Sequence, residues 1–180
     1  MKRTFLAIPV SEKAKIIFSS LFDDLKIIPN LKLVKPENVH FTLKYLGEVS
    51  ESELIEVREK LGHFKFKPFK IELGPIGGFS IGDYVKVIWL GADNEEMANL
   101  IVSVQKLFDY LRKEEHTQIT PHLTLARSRE DTDQSLLRKF LQKYKNQKFG
   151  EMEVNKIVLY ESKLTPSGPV YKEIESISFK

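Results

Sequence analysis

Short runs in which apolar and polar residues alternate are interleaved along this chain with longer stretches whose apolar residues recur every three or four positions. The first pattern is the period of a strand, the second that of a helix lying on a core. Thr4 to Ile8 reads as a strand stopped by Pro9, and Ser11 as the N-cap of a helix with Ala14, Ile17, Phe18, Leu21, Phe22 and Leu25 at helical spacing. Lys32 to Val34 gives a short strand before the Pro36-Glu37-Asn38 turn, and Val39 to Leu46 a longer one that stops at Gly47. Ser50 and Glu53 match a capping box ahead of Leu54, Val57 and Leu61. Phe69 to Leu73 and Tyr84 to Leu90 read as strands, with Gly74 to Gly82 between them as a glycine-rich loop. Asn94 caps a long helix carrying Met97, Leu100, Ile101, Val104, Leu107, Phe108 and Leu111. A strand from His122 to Ala126 follows, then a helix from Asp133 to Tyr144 with Leu136, Leu137, Phe140 and Leu141 inward. Strands near 151–153, 156–161 and 170–179 close the chain, the last two separated by Thr165-Pro166-Ser167-Gly168-Pro169.

Strands and helices alternate, yet several strand connections are too short for a helical crossover. Much of the sheet is therefore antiparallel, and the fold class is α+β rather than doubly wound. His40-Phe41-Thr42-Leu43 and His122-Leu123-Thr124-Leu125 stand 82 positions apart, each followed by an amphipathic helix. The order suggests two related, pseudo-symmetric halves flanking a central cleft, with helices outside. No Ser-, Gly- or charge-rich linker separates them, so residues 1–180 are expected to form one bilobed unit.

In a strand, residues i and i+2 share a face. Each copy of the repeat thus points an imidazole and a hydroxyl one way and two apolar side chains the other. From the composition, the odds that two of the chain's four histidines head His-x-Thr-Leu by chance are on the order of one in ten thousand. Lys44 lies two residues past Thr42 and shares its face if pairing is regular. Arg127 has the opposite parity to Thr124 and reaches the same space only through a bulge or a strand end.

Two imidazoles suit acid–base chemistry on a phosphodiester. With a pKa near 6.5, one can start neutral and take a proton from water while its partner, protonated, delivers one to the leaving alkoxide. Threonine hydroxyls can hold the nonbridging oxygens. A metal centre is the competing use of paired histidines, but zinc needs at least three protein ligands and neither motif has a Cys, Asp or Glu at a neighbouring inward position. His63 and His116 have no partner at ligand spacing and read as exposed polar residues. No metal or other cofactor is expected. The chain has no cysteine, which excludes disulfides and a thiol nucleophile. Its net charge of +3 is compatible with a phosphate-bearing partner without marking a dedicated nucleic-acid coat. The glycines at 74–78 match neither a Walker A nor a dinucleotide pattern. The apolar run at the N-terminus is about five residues long, too short for a membrane span or a signal-peptide core. A cytoplasmic monomer is the expectation.

At the two motifs the sequence resembles the two-histidine (2H) phosphoesterase superfamily, and within it the RNA 2′,3′-cyclic phosphodiesterases, historically named 2′-5′ RNA ligases. The likeness extends to Arg3-Thr4-Phe5-Leu6-Ala7-Ile8, to Gly78-Phe79 before Val87-Ile88-Trp89-Leu90, and to Leu164-Thr165-Pro166-Ser167-Gly168-Pro169-Val170-Tyr171. Phe79-Ser80 stands where many members have Phe-Pro. The resemblance implies metal-independent hydrolysis of RNA or nucleotide 2′,3′-cyclic phosphates to 2′-phosphomonoesters. It implies His40 as proton donor to the leaving 3′ oxygen, His122 as acceptor from water, and Thr42 and Thr124 as phosphate ligands; Lys44 and Arg127 are candidate further contacts from their spacing alone. It also implies a weaker reverse 2′-5′ ligation, in which an RNA end must be bound in competition with water. Two readings compete with it: a 2H enzyme for another cyclic or 2′-5′-linked nucleotide, and a non-catalytic module that binds RNA ends. Pure binding needs no acid–base pair, which argues against the second.

Overall fold

The structure, a computed structural model, describes residues 1–92, 94–112 and 119–180. Strand β1 (Lys2–Pro9) leads into helices α1 (Glu12–Ile17) and α2 (Ser19–Lys26), then the short strand β2 (Leu31–Leu33). A single 3₁₀ turn, Pro36–Asn38, delivers the chain to β3 (His40–Val49) and helix α3 (Glu51–His63). After β4 (Phe69–Glu72), β5 (Ile76–Ile81) and β6 (Tyr84–Gly91) form a hairpin, followed by α4 (Glu95–Leu107), β7 (His122–Ser128) and α5 (Gln134–Tyr144). Strands β8 (Glu151–Val154), β9 (Lys156–Thr165) and β10 (Gly168–Ser178) end the chain.

Side-chain caps set several helix starts. Ser50 Oγ accepts the Glu53 N–H while Glu53 Oε2 accepts the Ser50 N–H, a complete capping box. Asn94 Oδ1 accepts from Met97, and Asp133 Oδ1 from Ser135 and Leu136. The first helical stretch differs from the expected continuous helix. It breaks at Phe18, whose backbone (φ −106°, ψ 11°) ends α1 and starts α2. In α5 the buried residues are Leu137, Phe140 and Tyr144, while Leu136, expected inward, is exposed.

The main sheet has the order β10-β9-β1-β3-β7-β6-β5, with β2 also paired to β7, and every pairing between these strands is antiparallel. The α+β assignment holds. Gly74 to Gly82, expected as a loop, is mostly strand β5, because its glycines allow the chain to lie flat against β6. A two-stranded sheet of β4 and β8 joins the ends of the two motif-strand-plus-helix units.

Two halves are visible in the order β1–α1α2–β3–α3–β4 against β6–α4–β7–α5–β8. Each has an antiparallel strand pair, then a helix, then a strand of the small sheet. They meet where β3 pairs β7 at Phe41 and Leu123, each the residue after its motif histidine. Beyond that point β2 takes over the edge of β7. One cluster of buried side chains, including Phe41, Leu43, Leu123, Leu125, Met97, Val57 and Leu137, runs behind both halves.

Candidate active site

The Phe41–Leu123 pair determines what the opposite face carries. Both side chains are fully buried, so alternation turns His40, Thr42, His122 and Thr124 away from the core. In an antiparallel pair the neighbours cross over, setting His40 toward Thr124 and His122 toward Thr42. One pairing thus brings together all four residues of the sequence repeat.

Just past each threonine the ladder slips. Leu6 pairs with Lys44 and Ala7 with Thr42, so Leu43 is an extra residue in β3; Ile88 pairs with Ala126 and Trp89 with Thr124, so Leu125 is the extra residue in β7. Such a bulge reverses the facing of the residues that directly follow it. Two consecutive residues therefore face inward in each strand, Leu43 and Lys44 in one, Leu125 and Ala126 in the other, and Tyr45 and Arg127 emerge on the histidine side.

This reverses one expectation and meets the condition set for another. Lys44 does not extend the face of Thr42. It is 2% exposed on the core side, and its Nζ donates to the Arg112 carbonyl at 2.6 Å. Arg127 reaches the face of Thr124 through the bulge, and its charge acts on His122. By the same symmetry Tyr45 is the counterpart of Arg127, a position legible in the sequence once His40-Phe41-Thr42-Leu43-Lys44-Tyr45 is set against His122-Leu123-Thr124-Leu125-Ala126-Arg127.

The two imidazoles are held alike. Nδ1 of His40 lies 2.7 Å from the Asn38 carbonyl, and Nδ1 of His122 lies 2.7 Å from the Thr120 carbonyl, in each case two residues back. A carbonyl only accepts, so Nδ1 carries the hydrogen in both rings and Nε2 keeps its lone pair. Aromatic walls enclose each ring. Phe5 lies 4.9 Å and Tyr171 5.3 Å from His40 between ring centres, and Phe79 lies 4.9 Å and Trp89 6.3 Å from His122. Apart from the likeness in flanking segments, the alternation pattern gave no sign that these aromatics line a site, since Phe5 and Trp89 read as ordinary strand residues and Tyr171 arrives from the far end of the chain.

Burial in these walls dominates the electrostatics. It holds the His40 pKa down to about 4 against an opposing pull from the Asn38 carbonyl, and the nearby His122 depresses it further. His122 is lowered as well, by burial first and by Arg127, while the Thr120 carbonyl opposes. Both rings are therefore neutral at pH 7, whereas the sequence suggests that one is protonated. Burial likewise raises the Tyr171 hydroxyl, Tyr45 adds to that rise, and Arg127 opposes it.

Among the described residues, no group of three or more His, Cys, Asp or Glu side chains is placed to hold a metal ion. His63 binds its own helix, its Nδ1 2.9 Å from the Glu59 carbonyl, and His116 lies outside the described residues. Among the described residues no helix is long and apolar enough to cross a membrane.

A family model described as the 2′-5′ RNA ligase superfamily matches residues 21–165. The chain belongs to the 2′-5′ RNA ligase superfamily. Members similar to it over nearly the whole length include the protein of Methanocaldococcus jannaschii named RNA 2′,3′-cyclic phosphodiesterase, 36% identical over 173 residues that cover 96% of this chain and 98% of the relative. A Thermotoga maritima protein of the same name is 31% identical over 190 residues, covering 99% and 96% of the two chains. Among solved structures, TT0787 of Thermus thermophilus superposes with a TM-score of 0.79 at 27% identity, covering 98% of this chain and 97% of its own. Escherichia coli LigT complexed with 3′-AMP superposes at 0.74 with 20% identity, covering 99% and 98%, a likeness of fold. The superfamily match spans both motif strands and both bulges.

Proposed function

We propose that this protein hydrolyses 2′,3′-cyclic phosphodiesters at the ends of RNA or on nucleotides, giving 2′-phosphomonoesters. The names of the relatives in M. jannaschii and T. maritima favour this substrate class. The observation that carries the chemistry is the pair of imidazoles on one sheet face, each with Nδ1 tied to a carbonyl and Nε2 left for the reaction.

In this reading a cyclic phosphate monoanion enters between the two rings. Its charge offsets the burial that keeps them neutral and draws a proton onto one imidazole. His122 Nε2 takes a proton from water as the water oxygen attacks phosphorus. The bond from phosphorus to the 3′ oxygen breaks, and His40 Nε2–H protonates that oxygen. The pair's proton now sits on His122; His122 releases it to solvent and His40 takes one up, which restores the starting state. Thr42 and Thr124 donate hydroxyl hydrogens to the nonbridging oxygens, and Arg127 adds a charge-assisted donor on the His122 side. Reversal, with the 5′-hydroxyl of a second RNA in place of water, gives 2′-5′ ligation, a weaker reaction because that end must first be captured.

The test is the product. Incubated with adenosine 2′,3′-cyclic phosphate and a chelator, the protein should yield adenosine 2′-phosphate, resolved from the 3′ isomer by chromatography. Accumulation of the 3′ isomer would reverse the assignment of the leaving oxygen. Absence of turnover, on the nucleotide and on a short RNA with a cyclic end, would leave the site a binding site only.

A further inference from the structure

Tyr171, which packs on His40, also lines a second pocket that His40 does not reach. Its volume is about 170 Å³, and its walls are set by Arg3, Tyr45, Arg112, Ser162 and Tyr171. No Asp or Glu lines it. Neither arginine has a salt-bridge partner among the described residues, and the two stand on the walls of one small space. The larger cavity lined by His40 differs in this respect. There Lys15, Lys35 and Lys156 are matched by Glu12, Glu37 and Glu173, and Lys15 is already paired with Glu12 at 2.6 Å. Of the two, the smaller pocket has the charge to hold an anion.

The pocket is built. Arg112 is held through its main chain, whose carbonyl accepts from the buried Lys44 ammonium at 2.6 Å, and its side-chain methylenes run over Gly47, where a Cβ would stand 4.0 Å from Cδ. Tyr45 is turned to this face by the bulge at Leu43. Tyr171 touches both sites. Its ring packs edge-on to His40 at 5.3 Å, and the charge of Arg3 acts on its hydroxyl. Three residues separate Thr42 from Tyr45, at most about 10 Å of strand and less across the bulge at Leu43, within reach of one nucleotide.

We propose that this pocket binds the phosphate on the 5′ side of the terminal nucleotide while the cyclic phosphate lies between the two histidines. The inference rests on the cyclic phosphodiesterase reading and makes it sharper. The preferred substrate is a nucleotide that carries a 5′ phosphate, whether a 5′-phosphorylated mononucleotide or the last unit of an RNA strand. Arg3 and Arg112 pair with the phosphate oxygens, and the Tyr45 hydroxyl is a third donor. Guanidinium groups suit this task because their planar forks match phosphate geometry.

The test compares three substrates that react at the same bond: adenosine 2′,3′-cyclic phosphate with a 5′-hydroxyl, the same nucleotide with a 5′-phosphate, and a dinucleotide with a cyclic end. Wild type should show a KM at least about tenfold lower for the second and third than for the first, the scale of charge-assisted phosphate contacts. The double variant R3Q/R112Q should remove that advantage and leave kcat/KM on the 5′-hydroxyl substrate within about twofold of wild type. R3K/R112K, which keeps the charges without the forks, should retain part of it. A dinucleotide advantage without one for the 5′-phosphorylated mononucleotide would mean that the second nucleoside, not the phosphate, is recognised. Equal losses on all three substrates would assign the arginines to the reaction centre or the fold, and an advantage that survives the double substitution would remove them from recognition; each result overturns the proposal. Failure of wild type to cleave even the 5′-hydroxyl nucleotide would instead refute the phosphodiesterase reading itself.

Discussion

A ring whose Nδ1–H is held by a carbonyl two residues back can exchange protons only through Nε2, and here both histidines are held in that way. Burial keeps both neutral in the free protein, His40 down to about 4 and His122 also below its usual value. In the proposed mechanism the active form carries one proton shared by the pair. Its population in the free enzyme therefore rises as pH falls from 7, and declines again only when the second ring protonates. The kcat/KM profile should be bell-shaped with its optimum on the acid side of 6.5, and the two limbs belong to the pair rather than to either ring. The kcat optimum should lie at higher pH, because the bound anion stabilises the imidazolium. A kcat/KM optimum above pH 7.5 would show that the walls do not depress these rings. The threonines separate catalysis from folding. Thr→Val at 42 or 124 keeps the branched shape and deletes the hydroxyl. Each substitution should cost about 1.5–3 kcal/mol of transition-state binding, or roughly ten- to a hundred-fold in kcat/KM, with little change in Tm. A lowered Tm with unchanged kinetics would place these hydroxyls in the structure instead of the site. At this scale the sequence was a good guide to the four repeat residues and a poor one to Lys44, because face alternation was extrapolated through a bulge that leaves no compositional mark.

At the scale of elements, the hairpin of β5 and β6 forms the wall beside His122. Trp89, the chain's one tryptophan, lies across Gly77, where a Cβ would overlap the indole ring. Gly77→Ala must displace that ring and, with it, the packing around His122. The expected result is a loss of about 1–3 kcal/mol of stability, in the range of overpacked cores, with a shifted tryptophan emission and a reduced kcat/KM. Gly62→Ala is the control, since it sits in α3 with nothing within 4 Å of the added methyl and should be neutral or mildly stabilising. Normal emission and activity in Gly77→Ala would detach the indole from the site. Helix caps, apolar stripes and most strands were legible in the sequence, since local chemistry determines them. The glycine run from Gly74 to Gly82 was misjudged because flexibility was taken as a sign of a loop, whereas Gly77 is small in order to let Trp89 lie flat. The break at Phe18 also escaped notice, the apolar stripe continuing through it.

For the whole molecule, one strand contact organises the chemistry. Because Phe41 and Leu123 are equivalent residues of two related halves, their pairing brings the two histidines and two threonines together on one face without further adjustment. The duplication could be read from the sequence; the pairing of β3 with β7, and the arrival of Tyr171 from the C-terminal hairpin, depend on contacts far apart along the chain. The most direct test of the two-histidine mechanism is the hydrolysis rate of an RNA with a 2′,3′-cyclic end, measured with chelator present for wild type, His40→Ala, His122→Ala and the double variant. Wild type should turn over. Each single variant should lose about 10²–10⁴-fold, as when a general acid or base is removed, and the double variant should be little worse than either because the pair acts as a unit. A single variant that kept more than a tenth of the wild-type rate, or a wild-type rate abolished by chelator and restored by zinc, would contradict that mechanism.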